Sequence, residues 1–174
     1  MRTGILLHGR EQVLRAPRNG AGPTGERSAL VSSPRRMRAR DARRRVLVVD
    51  DEEGLRELTA AWLSDEGFVV ATARNGADAL GHLPEFCPDA IVLDLMMPVM
   101  DGWSFAEACH RLTGPVGIPI VVVSAGRRLV EAAERLRPFG VRAALAKPFD
   151  LEILAATVST LVQRDESLVT AAAS

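Results

Sequence analysis

From Val46 onward, short apolar runs alternate with amphipathic stretches, and the alternation repeats five times. A short β-branched run followed by apolar positions three and four apart is the pattern of a buried strand and of the helix that covers it. The runs predict strands over Val46–Asp50, Phe68–Thr72, Ala90–Leu93, Ile118–Val123 and Arg142–Ala146. The stretches between and after them predict helices over Glu52–Glu66, Ala77–Leu83, Trp103–Leu112, Arg128–Leu136 and Leu151–Val162. In the first helix Leu55, Leu58 and Trp62 share one face, and Gly67 supplies a stop. Strands alternating with helices in this way build a parallel sheet, since each parallel connection has to cross a sheet face. Residues 1–44 follow neither period: they hold no Phe, Tyr or Trp and are rich in Gly, Pro and Ser, as expected of a disordered extension. Residues 164–174 are expected to form a short tail.

Composition divides the chain at the same place. Residues 1–45 hold 12 arginines against Glu11, Glu26 and Asp41, a balance of +9, and the remainder holds 10 basic and 19 acidic residues, a balance of −9. The formal neutrality of the whole therefore hides a basic arm on an acidic domain. A length of 174 residues with 47% hydrophobic content suits one soluble domain with a real core. The early run Ile5-Leu6-Leu7 is too short for a signal-peptide core, and no run is long enough to span a bilayer, so a cytoplasmic protein without membrane insertion is expected. Cys87 and Cys109 lack CxxC spacing and sit in apolar segments, which predicts buried free thiols. Initiation at Met37 would leave the first 36 residues untranslated.

Four of the five predicted strands end in reactive polar groups: the first in Asp50-Asp51, the third in Asp94, the fourth in Ser124 and the fifth in Lys147. Lys147 is the single lysine among 22 basic residues, where arginine serves every other position. A lone lysine marks a site that wants a compact ammonium rather than a planar guanidinium. In an open parallel sheet, ligands bind beyond the carboxyl ends of the strands, so these groups should surround one cleft. Taken singly, Asp51 could cap the next helix, Asp94 could belong to a loop and Ser124 to a turn. Taken together, three carboxylates in one cleft raise one another's pKa unless a cation joins them. All-oxygen ligands with room for water suit Mg²⁺, whose habit is to bind phosphoryl oxygens. The chemistry this implies is phosphoryl transfer, with one carboxylate attacking, metal and lysine neutralising charge, and the serine hydroxyl donating a hydrogen bond.

The segments Val48-Val49-Asp50-Asp51-Glu52, Asp94-Leu95-Met96-Met97-Pro98-Val99-Met100-Asp101-Gly102, Ser124-Ala125 and Lys147-Pro148-Phe149 resemble the receiver domain of two-component response regulators. The resemblance covers about residues 45–163 in order and spacing. It implies an α/β flavodoxin-like (βα)5 fold, a doubly wound five-stranded parallel sheet in the order 2-1-3-4-5. By the same likeness Asp94 is the phosphoacceptor, and a sensor histidine kinase or histidine phosphotransfer protein is the donor. Asp50, Asp51, Asp94 and the Met96 backbone carbonyl hold Mg²⁺. Ser124 is the hydroxyl switch residue, Lys147 contacts the phosphoryl group, and the Lys147-Pro148 peptide is cis. Only 27 residues follow Lys147, so the receiver is expected to act alone, through docking on an unknown output protein or through a relay, and not as an enzyme in its own right.

The chain departs from the family pattern in two ways. Ala144, three before the lysine, stands where an aromatic switch residue is common. Met96 and Gly126, two after Asp94 and two after Ser124, offer no polar side chain to orient a hydrolytic water. Other signals lead elsewhere. Gly20–Gly25 matches GxGxxG but follows no strand, and Met96 stands where a dehalogenase-type phosphatase needs a second Asp. His8, His82 and His110 lack metal spacing. The alternative from another class is nucleic-acid association through Arg35, Arg36, Arg38, Arg40, Arg43, Arg44 and Arg45; without aromatic platforms such binding should be weak and salt-sensitive, which makes a nucleic-acid partner the lesser reading.

Overall fold

A computed structural model describes residues 43–114, 117–125 and 128–171. The basic arm up to residue 42, with its glycine-rich segment and His8, lies outside the described residues, and so does Gly126. The elements run β1 (Arg45–Val49), α1 (Glu53–Asp65), β2 (Val69–Ala73), α2 (Gly76–Phe86), β3 (Ala90–Asp94), α3 (Gly102–Thr113), β4 (Ile120–Ser124), α4 (Leu129–Leu136), a one-turn 3-10 helix (Arg137–Phe139), β5 (Val141–Ala146) and α5 (Leu151–Ala171). All five strands pair in parallel in the order β2-β1-β3-β4-β5, the flavodoxin-like arrangement that the resemblance implies.

Successive strand residues point to opposite faces, and each face has its own core. Leu47, Val49, Ile91, Leu93, Ile120 and Val122 pack with Leu83, Phe105, Cys109 and Leu136 from α2, α3 and α4. Val46, Val48, Val92, Val121 and Val123 pack with Leu63 of α1 and with Leu154, Val158 and Val162 of α5. Burial on both sides explains why β1, β3 and β4 read as unbroken apolar runs. Among the described residues no helix is long and apolar enough to cross a membrane.

The structure corrects four expectations. Leu58 of α1 is 54% exposed, and the helix buries Thr59 and Leu63 instead. The true stripe places a threonine at its centre, so counting apolar residues picked the wrong neighbour. α2 runs past Leu83 through Pro84 to Phe86, closed by the Cys87 amide donating to the Leu83 carbonyl at 3.0 Å. Cys109 is buried as expected, whereas Cys87 is only half-buried, a left-handed residue (φ 46°) ending α2. Finally, α5 continues to Ala171, so residues 164–171 extend the helix where a tail was expected.

Candidate functional site

Strand register brings the polar strand ends to one level. Val49 of β1 pairs with Leu93 of β3, Asp94 pairs with Val123 of β4, and Ser124 pairs with Ala146 of β5. Asp50, Asp94, Ser124 and Lys147 therefore emerge along one rim, and the Lys147 amide donates to the Ser124 carbonyl at 3.0 Å, extending the ladder by one step. Asp50, Asp94 and Ser124 are all buried, at 3%, 5% and 2% exposure.

The Lys147 ammonium bridges two carboxylates, donating to Asp50 Oδ2 at 2.7 Å and to Asp94 Oδ2 at 2.6 Å. Partial burial works against its charge, but the hydrogen bonds to Asp50 and Asp94 and the charges of both outweigh that cost, so its pKa lies above 10.5. The opposite oxygens are held by the backbone: the Glu52 amide donates to Asp50 Oδ1 and the Met96 amide to Asp94 Oδ1, each at 3.0 Å. The peptide cis bond lies between Lys147 and Pro148, as the resemblance implies.

Asp51 is exposed, and it does not cap α1: the N-cap is Glu52 and no side chain caps that helix. Ligand oxygens of Asp50, Asp51 and Asp94 all lie within 4.8 Å of one another. Lys147 sets one positive charge against three negative ones, leaving two uncompensated. A hard divalent cation matches both this deficit and the all-oxygen donor set.

The loop after Asp94 is fixed tightly. Leu95 and Met97 are buried, the Asp101 side chain accepts from the Ser104 amide at 2.8 Å to cap α3, and the Gly102 amide donates to the Leu95 carbonyl at 3.1 Å. A Cβ on Gly102 would collide with the Asp94 carbonyl oxygen and sit 2.8 Å from Leu95 Cα, so only glycine lets α3 start against the end of β3. Met96 exposes its side chain at 71%.

Away from the rim, Ala144 pairs with Val122 and helps line a groove of about 250 Å³ between α4 and β5, together with Val130, Ala133 and Arg142. Of the clustered arginines, Arg45 is committed to the fold: its guanidinium lies 4.6 Å over the Phe86 ring and its amide donates to Asp89 Oδ2 at 2.8 Å. His82 lies 3.8 Å from Asp78, and His110 packs edge-on against Phe139. Sequence reasoning missed Arg56, whose guanidinium donates to the Asp50 backbone carbonyl at 2.8 Å. No periodicity marks it out from any other arginine on a helix.

Comparison with known proteins fits this geometry. Residues 46–159 match the response regulator receiver domain. The transcriptional regulatory protein PrrA of Mycobacterium tuberculosis is 41% identical over 126 residues, covering 72% of this chain and 53% of that protein. The DNA-binding response regulator MtrA of Mycolicibacterium smegmatis is 36% identical over 124 residues, covering 71% of this chain and 53% of its own length. This chain thus spans about half the length of the curated relatives it matches. Among solved structures, the chemotaxis protein CheY4 of Vibrio cholerae superposes with a TM-score of 0.64 at 31% identity, covering 69% of this chain and 99% of that one. The Francisella response regulator 1452 receiver domain gives a TM-score of 0.64 at 27% identity, covering 70% and 98%. Since the matched segment carries all five rim residues from Asp50 to Lys147, the chain belongs to the response regulator receiver domain family.

Proposed function

We propose that Asp94 accepts a phosphoryl group from a phosphohistidine on a sensor histidine kinase or histidine phosphotransfer protein, in a reaction that requires Mg²⁺. The observation that carries this reading is the Lys147 ammonium, held on Asp50 and Asp94 at once in a chain of the receiver family. Asp94 Oδ attacks phosphorus, the P–N bond to the donor imidazole breaks as the P–O bond forms, and the imidazole nitrogen takes up a proton. Asp50, Asp51, Asp94 and the Met96 carbonyl would hold the cation, which would offset charge on the transferred oxygens. Lys147 follows the new charge, and the Ser124 hydroxyl donates to a phosphoryl oxygen. The chain is a phosphoacceptor and not an enzyme acting on a separate substrate. PrrA and MtrA are named as transcriptional and DNA-binding regulators, and half of each lies outside the match. The output read from the receiver alone is phosphorylation-dependent docking on another protein, or relay to a further histidine. Nucleic-acid association through the arginine-rich arm is the second reading, weakened by the structural commitment of Arg45.

The test is incubation of the full chain with acetyl phosphate and Mg²⁺ followed by mass spectrometry. One phosphoryl group on Asp94, not formed when chelator is present from the start and absent from Asp94→Asn, is expected. Undiminished labelling of Asp94→Asn would overturn the assignment.

A further inference from the structure

We infer that Arg56 is a positioning residue for the metal-binding acid pair. This rests on the phosphoacceptor reading above. Three of the four hydrogen-bonding groups on Asp50 are taken by other partners: its amide donates to the Ala73 carbonyl at 3.1 Å, Oδ1 accepts from Glu52 and Oδ2 from Lys147. The fourth, its backbone carbonyl, is held by Arg56 NH1 at 2.8 Å. That carbonyl belongs to the peptide unit joining Asp50 to Asp51. The unit is planar, so fixing the C=O direction also fixes the amide and the Cα of Asp51.

Asp51 depends on this anchor. Its neighbours on the rim are held through their own side chains, whereas Asp51 is exposed and does not cap the helix that follows it. Its carboxylate nonetheless comes within 4.8 Å of those of Asp50 and Asp94. The direction in which the backbone delivers it is set from both sides: the Asp51–Glu52 peptide is held by the Glu52 amide on Asp50 Oδ1, and the Asp50–Asp51 peptide by Arg56 one turn into α1. The setting favours an ion pair for Arg56, since Asp51, Glu52, Glu53 and Glu57 lie within five residues of it. Instead its guanidinium donates to a neutral carbonyl, whose peptide unit leads directly into a predicted metal ligand. A residue that orients a ligand from behind acts on metal affinity, and leaves attack by Asp94 itself untouched.

The experiment titrates Mg²⁺ into the full chain and its Arg56→Gln, Arg56→Lys and Thr59→Ala variants, following amide NMR shifts, with thermal melts in chelator and acetyl phosphate labelling alongside. Arg56→Gln should raise the apparent Kd for Mg²⁺ about tenfold. Its labelling rate should return to within about twofold of the parent at saturating Mg²⁺, because uniform loss of binding is made up by concentration. Arg56→Lys, which keeps a cationic donor on a shorter reach, should recover part of the affinity. Thr59→Ala removes a buried side chain from the same helix and should lower the melting temperature while leaving the Kd unchanged. An Arg56→Gln protein that melts lower but binds Mg²⁺ as the parent does would show a purely structural role and overturn the inference. A labelling defect that saturating Mg²⁺ leaves in place would overturn it too. A parent that binds no Mg²⁺ would instead overturn the functional reading, and this inference with it.

Discussion

The rim of the sheet and the α4–β5 flank are built to opposite standards. At the rim, Asp50 and Asp94 have both carboxylate oxygens engaged, and the loop after Asp94 closes against a glycine with no room for a methyl group. At the flank, only Val141 of β5 is fully buried, the register of β5 to β4 shifts between Ile120 and Val121, and a groove stays open where Ala133 and Ala144 are too small to fill it. Val130 of α4 stands 75% exposed beside it. Accepting a phosphoryl group requires groups already in place, since the rate depends on charges that need not reorganise. On the proposed function, responding to it requires a part that can rearrange, and a loosely packed flank resists rearrangement less than the rim does. Ser124 joins the two regions, being buried at the rim and paired with the last residue of β5.

The largest expected effect breaks the rim. Lys147→Met leaves two buried carboxylates without their shared ammonium and should cost about 3 kcal/mol in metal-free buffer at neutral pH, from denaturant melts. Added Mg²⁺ should restore part of that loss by supplying the missing positive charge. A melt unchanged by the substitution would show that the bridge contributes no net stability.

A steric test of the same region comes next. Gly102→Ala should cost about 2 kcal/mol, because the new methyl meets the Asp94 carbonyl and the rigid Leu95 backbone. Gly54→Ala, with open space around its position in α1, should instead stabilise by about 0.5 kcal/mol. Equal melts for the two variants would refute the picture of a closed loop.

At the flank, Ala144→Tyr should change stability by less than about 1 kcal/mol, since the groove already offers space. Its effect should fall on signalling. With a phosphoryl mimic, hydrogen exchange in the parent should change chiefly around Ser124 and α4, and the tyrosine variant should extend the change into β5. Protection that shifts mainly within Val141–Ala146 of the parent would reverse the order of events.

The smallest effect is a pH dependence. Because the folded pKa of Lys147 is raised, its contribution to stability is complete below the ordinary value of 10.5 and is lost as pH rises through the higher folded value. Alkaline melts of the parent should therefore fall more steeply than those of Lys147→Met, and parallel curves would argue against a raised pKa.

The chain wrote β1, β3 and β4 plainly, because strands buried on both faces leave no position for a polar residue, and the polar groups that follow Val49, Leu93 and Val123 had to be strand ends. The acids were legible for the same reason, since a charge directly after a buried run stands at a rim, whereas Lys147 follows a partly buried strand and was legible as the single lysine of the chain. What the sequence could not settle were matters of direction. Thr59 lies inward and Leu58 outward because α1 is turned by its packing on β1 and α5, a rotation that side-chain polarity does not encode. Arg56 reaches the Asp50 carbonyl only because the turn between β1 and α1 folds back over six residues, and an arginine seen in sequence carries no mark of the carbonyl it will meet. The α4–β5 groove likewise exists only between elements, as the space left when helix and strand are set by the rest of the core and small side chains meet there. Periodicity and charge are properties of single segments and can be read from them; orientation, hydrogen-bond partners and empty space are properties of pairs, and packing alone decides those.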